Sequence, residues 1–200
     1  MPGSGFIHES AVLPRRVCVR PDPFLQALPA NSEVPDAVRK FHSETAEFTG
    51  LCSIQRGTGW LTSLSLWLGG FPPAADTQTV RIRTKLNGQE WEWFRDFGGH
   101  ETLSHLVYDA DRRCVKERIG GLTIWMRPQV RGQKLHLNIL RLTLLGVPCP
   151  NFLLPRSATV EWQDDQGRFR FDVSAEMPML GQLIRYRGWL MPVHVNRNNA

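Results

Sequence analysis

Gly98-Gly99 stands between two segments of alternating character, and no other feature limits the fold of this chain as much. Upstream of it, Trp93, Arg95 and Phe97 alternate with residues of more exposed type, which is the period of a strand. Two consecutive glycines suit a tight hairpin, because both turn positions need positive φ. The hairpin then sets Phe97 opposite His100, Arg95 opposite Thr102 and Trp93 opposite Ser104. A second two-residue turn at Ala110-Asp111 would place Ser104 opposite Glu117. Trp93, Arg95, Ser104 and Glu117 are thus expected on one face of three adjacent strands. A slip of one residue would send part of the set to the other face.

From Thr79 onward the rest of the chain carries the same signature. Val80 to Leu86 alternates and turns at Asn87-Gly88, a strong hairpin dipeptide. Leu122–Val130 and Lys134–Leu145 flank Arg131-Gly132, and Ala158–Gln163 and Arg168–Ala175 flank a turn at residues 164–167. Gln182–Leu190 is read as a last strand or a short helix leading to one. Before this β region, two short helices are expected, over Phe24–Leu28 and over Val34–His42, the second with Pro35 in its first turn. A first strand is expected over Ala46–Arg56. Between Gly59 and Leu68 the period changes to that of a helix, stopped by Gly69-Gly70 and Pro72-Pro73. Trp60, Leu61, Leu64, Trp67 and Leu68 share one face there. Packing of that face on a sheet is the expectation. A membrane-surface helix is the alternative, opposed by Thr62, Ser63 and Ser65 and the lack of Lys or Arg on the helix.

So many twisted strands cannot stay flat. The expected fold is α+β, a strongly curved antiparallel sheet or partly open barrel of about eight strands wrapped around one main helix, with short N-terminal helices. A calycin-like β-barrel is the alternative. Residues 1–22 read as a flexible leader, 23–191 as a single domain and 192–200 as a flexible tail.

Composition excludes more than it identifies. Hydrophobic content of 42% and charge of 22% over 200 residues allow a sizeable core. The net charge of +5 raises nucleic acid as a partner, but Lys and Arg are scattered and the basic runs are short. No nucleic-acid partner is expected, and an anionic head group on a ligand suits the charge better. Cys18, Cys52, Cys114 and Cys149 lie far apart with no Cys-x-x-Cys, so neither a zinc site nor another metal or cofactor is expected. Nothing approaches the roughly 20 apolar residues of a membrane span, and the N-terminus lacks the pattern of a signal peptide. A cytoplasmic location is the default.

At the level of motifs the chain resembles a bacterial family described only as a domain of unknown function, found free-standing or fused C-terminally to saccharopine-dehydrogenase-like Rossmann reductases. The resemblance rests on Ala37-Val38-Arg39-Lys40-Phe41-His42, Trp93-Phe94-Arg95-Asp96-Phe97-Gly98-Gly99 with Ser104, and Glu117-Arg118-Ile119-Gly120. It continues through Leu145-Gly146-Val147-Pro148-Cys149-Pro150, Glu161, Gly167-Arg168-Phe169-Arg170-Phe171-Asp172-Val173 and Tyr186-Arg187-Gly188-Trp189-Leu190. The resemblance implies a reductase as partner protein. The chain itself lacks the Gly-x-Gly-x-x-Gly of a dinucleotide site, so hydride chemistry within it is not expected.

Three functions stay open at this stage. The first is binding of an apolar small molecule or acyl-type ligand in a sheet-lined cavity, by Trp93, Arg95, Phe97, Ser104, Glu117, Tyr186 and Trp189. The second is an isomerase or cyclase using Glu117 as general base with Arg95. The third is a docking module for a Rossmann reductase, favoured by an exposed apolar face at Trp60 and Trp67. For Arg95 and Glu117 a cross-strand ion pair is the simpler reading. His42, at a helix end, reads as a cap or contact residue. Tyr186–Trp189 reads as a closing strand, or else as a lid over the cavity.

Overall fold

The computed structural model describes residues 20–193. The elements run α1 (Pro23–Gln26), α2 (Asp36–Ser43), β1 (Glu47–Arg56), α3 (Trp60–Leu68), β2 (Ala75–Asn87), β3 (Glu90–Phe97), β4 (His100–Asp109) and β5 (Cys114–Ile119). They continue with β6 (Leu122–Arg131), β7 (Lys134–Leu144), β8 (Val147–Pro148), a 3-10 turn (Asn151–Leu153), β9 (Arg156–Ser157), β10 (Thr159–Gln163), β11 (Phe169–Met177) and β12 (Gly181–Pro192).

Neighbouring strands pair antiparallel in chain order from β1 to β7, then through β10, β11 and β12 back to β1. Ten strands thus close a barrel, and the short β8 and β9 attach to β7 and β11. The partly open sheet of about eight strands is corrected by the pairing of β10 with β7, which leaves no free edge in the ring. Closure removes the unpaired backbone groups that an open edge would present. The barrel class expected as the alternative is the one found.

Among the described residues no main helix runs inside the sheet. The α3 segment lies across one end, which we call the rim. Gly57 N–H donates to Leu183 O, Gly121 N–H to Leu68 O, and His100 Nε2 sits 2.9 Å from Gly70 O. The face expected to pack on the sheet is turned outward: Trp60 and Trp67 are each 74% exposed, while Thr62 and Leu66 are buried. The helical period was read correctly but its phase was inverted. A short helix across a barrel mouth needs only a narrow seam of small contacts, so the apolar stripe did not mark the inside.

The opposite end is plugged by α1 and α2. Their Phe24, Val38, Phe41 and His42 enter the barrel and join its core. An eight-stranded barrel is about filled by its own side chains, whereas diameter grows with strand number. Ten strands therefore leave room for helical side chains and for a cavity beyond them.

Local chemistry explains the register. Gly98 and Gly99 take φ of 61° and 100°, and Phe97, Arg95 and Trp93 face His100, Thr102 and Ser104 as the hairpin requires. The next connection is longer than expected. Asp109 pairs with Cys114, so residues 110–113 form the turn and Glu117 lies opposite Leu106, not Ser104. That shift is two residues, which leaves every side chain on its original face. Gly188 is required by crowding, since a Cβ there would stand 2.3 Å from Leu51 O.

The leader expected over residues 1–22 and the tail over 192–200 lie largely outside the described residues. Asp22, the last leader residue, is fully buried and caps α1, accepting from Phe24 N–H at 3.0 Å and Leu25 N–H at 3.3 Å. No described helix is long and apolar enough to cross a membrane.

Candidate functional site

The barrel holds a cavity of about 180 Å³ between the α1–α2 plug and the loop after α3. Phe24 and Phe41 form part of its floor, Phe71 and Pro72 part of its roof, and inward residues of the strands form its wall. Phe41 stacks on Phe169 with centroids 4.3 Å apart, and Phe24 tilts against Trp93 at 5.6 Å. Eight of the nineteen Phe, Tyr and Trp side chains of the chain line this chamber, with Trp93 the one tryptophan among them.

Two groups of buried charges meet the cavity. On β3, β4 and β5, Arg95 Nη1 donates to Ser104 Oγ at 2.7 Å and Nη2 donates to Glu117 Oε1 at 2.9 Å. The guanidinium also lies 5.0 Å from the Trp93 ring centroid. These contacts leave N–H donors of the guanidinium over. Close by, the Trp93 indole N–H and the Thr102 hydroxyl are buried without a hydrogen-bond partner among the described residues.

Of the residues expected at the site, Trp93, Arg95, Phe97, Glu117 and Tyr186 line the cavity. Ser104 is fully buried and commits its hydroxyl to Arg95, so it orients that side chain from behind the wall. Trp189 does not belong to the group. It alternates with the inward Gly188 and Leu190, faces outward, and lies 5.0 Å beneath the Arg168 guanidinium. The lid reading of Tyr186–Trp189 falls with it, because this segment is the middle of β12, paired on both sides. Burial pushes the Tyr186 phenol well up; Arg95 opposes this and Glu117 adds to it, so the group stays an O–H donor. Burial likewise pushes the Cys52 thiol up to about 11, which keeps it from acting as a thiolate nucleophile.

The second group was not foreseen. His42 Nδ1 lies 2.6 Å from Asp22 Oδ2, and its Nε2 lies 2.7 Å from Glu161 Oε2. Asp22 N–H also donates to His42 O at 2.8 Å. With a carboxylate on each ring nitrogen, the imidazole is doubly donating and charged. Burial pulls its pKa down, but the two carboxylates outweigh that and push it up to about 10. Burial pushes Asp22 up as well, against the pull of His42. Glu161 sits on β10 opposite both Leu135 of β7 and Phe171 of β11, at the seam that closes the ring. The cluster therefore ties both plug helices to the closing strand. His42 and Glu161 each stood in a recognisable motif, but 119 residues separate them, and no local pattern joins them. Among the described residues, no His, Cys, Asp and Glu side chains gather as a metal-binding group of three.

Comparison with curated proteins found no match, and comparison with solved structures found none either. The model of the family described as "Domain of unknown function (DUF4166)" matches residues 34–190, which takes in β1 to β11, most of β12, α2 and both charge groups except Asp22, and the chain belongs to that family.

Proposed function

We propose that the barrel binds a small, mostly apolar molecule carrying one carboxylate or carbonyl oxygen, held at Arg95. The observation that carries this reading is a local surplus of donors on an otherwise apolar wall. Arg95 has N–H groups left over, and the Trp93 N–H and Thr102 hydroxyl beside it are unpaired. Buried polar groups without partners are rare, and an acceptor oxygen from a ligand would serve this group. Size limits the occupant. A cavity of about 180 Å³ is slightly larger than the roughly 150 Å³ apolar cavity that accepts benzene. A single ring or a short acyl chain fits that space; a long acyl chain does not.

The Arg95–Glu117 pair favours anchoring over catalysis. Glu117 Oε1 already accepts from Arg95 Nη2, so the isomerase or cyclase reading with Glu117 as base ranks second. A reductase remains the partner that the family resemblance suggests, with this domain holding a substrate or product for it.

NMR titration of the protein with benzoate and with benzene tests the proposal. Both should perturb Trp93 and Tyr186, with benzoate binding about tenfold more tightly, as one charge-assisted hydrogen bond allows. In Arg95→Met the preference for benzoate should vanish while benzene still enters. If neither probe shifts a cavity resonance, the proposal is wrong.

A further inference from the structure

The Asp22–His42–Glu161 clasp is complete as a tie between plug and ring, but it leaves one acceptor over. Glu161 is 5% exposed and lines the cavity. Its Oε2 meets His42 Nε2, while its Oε1 accepts no hydrogen bond among the described residues. His42 has no further donor to give, because its other ring nitrogen is committed to Asp22. Two hydroxyls that line the same side are committed as well. Ser157 Oγ donates to Thr159 Oγ1 at 2.9 Å, and Thr159 Oγ1 donates to Ser174 O at 3.5 Å. A buried carboxylate oxygen at a cavity wall needs a donor, and a ligand can bring one.

Closure of the ring decides where this acceptor stands. Arg95 is on β3 and Glu161 on β10, and five strand-to-strand steps separate them whichever way the ring is followed. In a ring of ten strands they occupy opposite walls. The aromatic floor joins them: the Trp93 ring lies 5.0 Å from the Arg95 guanidinium and 5.5 Å from the His42 imidazole. Placed end to end, these contacts have the reach of one aromatic ring with a polar group at each end. Glu117 also lines the cavity, but it is held against Arg95, at the end that the ligand's acid takes.

We infer that Glu161 is the second anchor of the cavity and that the ligand is a small apolar hydroxy acid. Its acid group meets Arg95, and its hydroxyl donates to Glu161 Oε1 from the far end. The inference rests on the reading of Arg95 given above, which fixes the acid end. A hydroxyl suits the place better than an ammonium, because a neutral donor loses far less hydration on entering a buried site. Asp22 and His42 act as positioning residues, since they hold the Glu161 carboxyl and leave its second oxygen to the cavity.

NMR titration with 3- and 4-hydroxybenzoate, each against the methylbenzoate of the same pattern, tests it. Methyl and hydroxyl are close in size, so each pair isolates the donor. One hydroxybenzoate should bind at least about tenfold more tightly than its methyl counterpart, the worth of one hydrogen bond to a charged acceptor. Its ring protons next to the hydroxyl should show nuclear Overhauser contacts to the side chains of Thr159 or Phe171. Glu161→Gln keeps an oxygen for His42 and turns an amide N–H2 to the cavity. There the preference should fall to about threefold or less while methylbenzoate still binds. If methylbenzoate binds no better than toluene, the acid anchor fails and this inference falls with it. If methylbenzoate is preferred to toluene but the hydroxyl adds nothing at either position, this inference alone is overturned. It is also overturned if the preference survives intact in Glu161→Gln. Should that variant not fold, the contacts in the parent decide, and a hydroxyl edge away from both Thr159 and Phe171 overturns it.

Discussion

Both buried charge groups of this barrel pair a basic side chain with an inward-facing acid, yet they leave very different bonding capacity. Around His42 no donor is spare: each ring nitrogen meets a carboxylate, and Asp22 uses its other oxygen to cap α1. Around Arg95 donors are left over, and two further polar groups nearby are unpaired. A saturated group of charges holds structure in place, because every change to it exposes an uncompensated ion. An unsaturated group beside a cavity is poised for a ligand. Burial alone does not separate the two, since both are nearly hidden from solvent. The difference lies in how many donors remain unused.

The contrast is tested most severely at His42. In His42→Ala, Asp22 and Glu161 would face each other as buried unpaired acids, and stability should fall by about 3–5 kcal/mol in urea denaturation. A loss below about 1 kcal/mol would mean that the clasp does not hold the plug.

Next in size is the dependence of stability on pH. His42 is raised from an ordinary value of 6.5 to about 10, so its contribution is fully present below pH 6.5 and is lost as pH rises through 10. Asp22 is also raised, which gives the same sign. The melting temperature should therefore decline between about pH 7 and pH 10 by an amount that His42→Ala abolishes. A flat profile in the parent protein would contradict the charged clasp.

At the other group the expected losses are smaller and depend on which partner is kept. Arg95→Met alone leaves Glu117 unpaired and should cost about 1–3 kcal/mol. Arg95→Met with Glu117→Met removes both charges and should restore most of that loss, because apolar replacements of a buried pair are often neutral. Equal losses in the single and double variants would show that the pair does more than balance itself.

The smallest effect is expected at Trp189, which sits outside the barrel under Arg168. Trp189→Ala should lower stability by about 1 kcal/mol or less and leave benzoate binding unchanged. A marked loss of benzoate affinity would return this residue to the site.

Much of the Arg95 group was legible because its parts are neighbours along one meander. Period-two alternation assigned faces, and Gly98-Gly99 anchored the first register. The misjudged turn after Asp109 did no harm, because it moved the pairing by two residues and not by one. The His42 group was illegible for the opposite reason: its three members come from a helix cap, a helix end and the ring-closing strand. The outward face of α3 was misread because periodicity gives a helix its stripe but not the direction in which the stripe points.

By itself, the order of residues determined that a long antiparallel meander forms, which side chains share a face, and that Trp93, Arg95, Ser104 and Glu117 come together. These follow from interactions between segments adjacent in the chain, where a turn and a period of two suffice. Only the tertiary structure decided that the sheet closes at ten strands, that α1 and α2 plug it, that α3 shows its apolar face outward, and that His42 joins Asp22 to Glu161. Closure depends on how twist and stagger accumulate around the whole ring, and no local segment carries that sum.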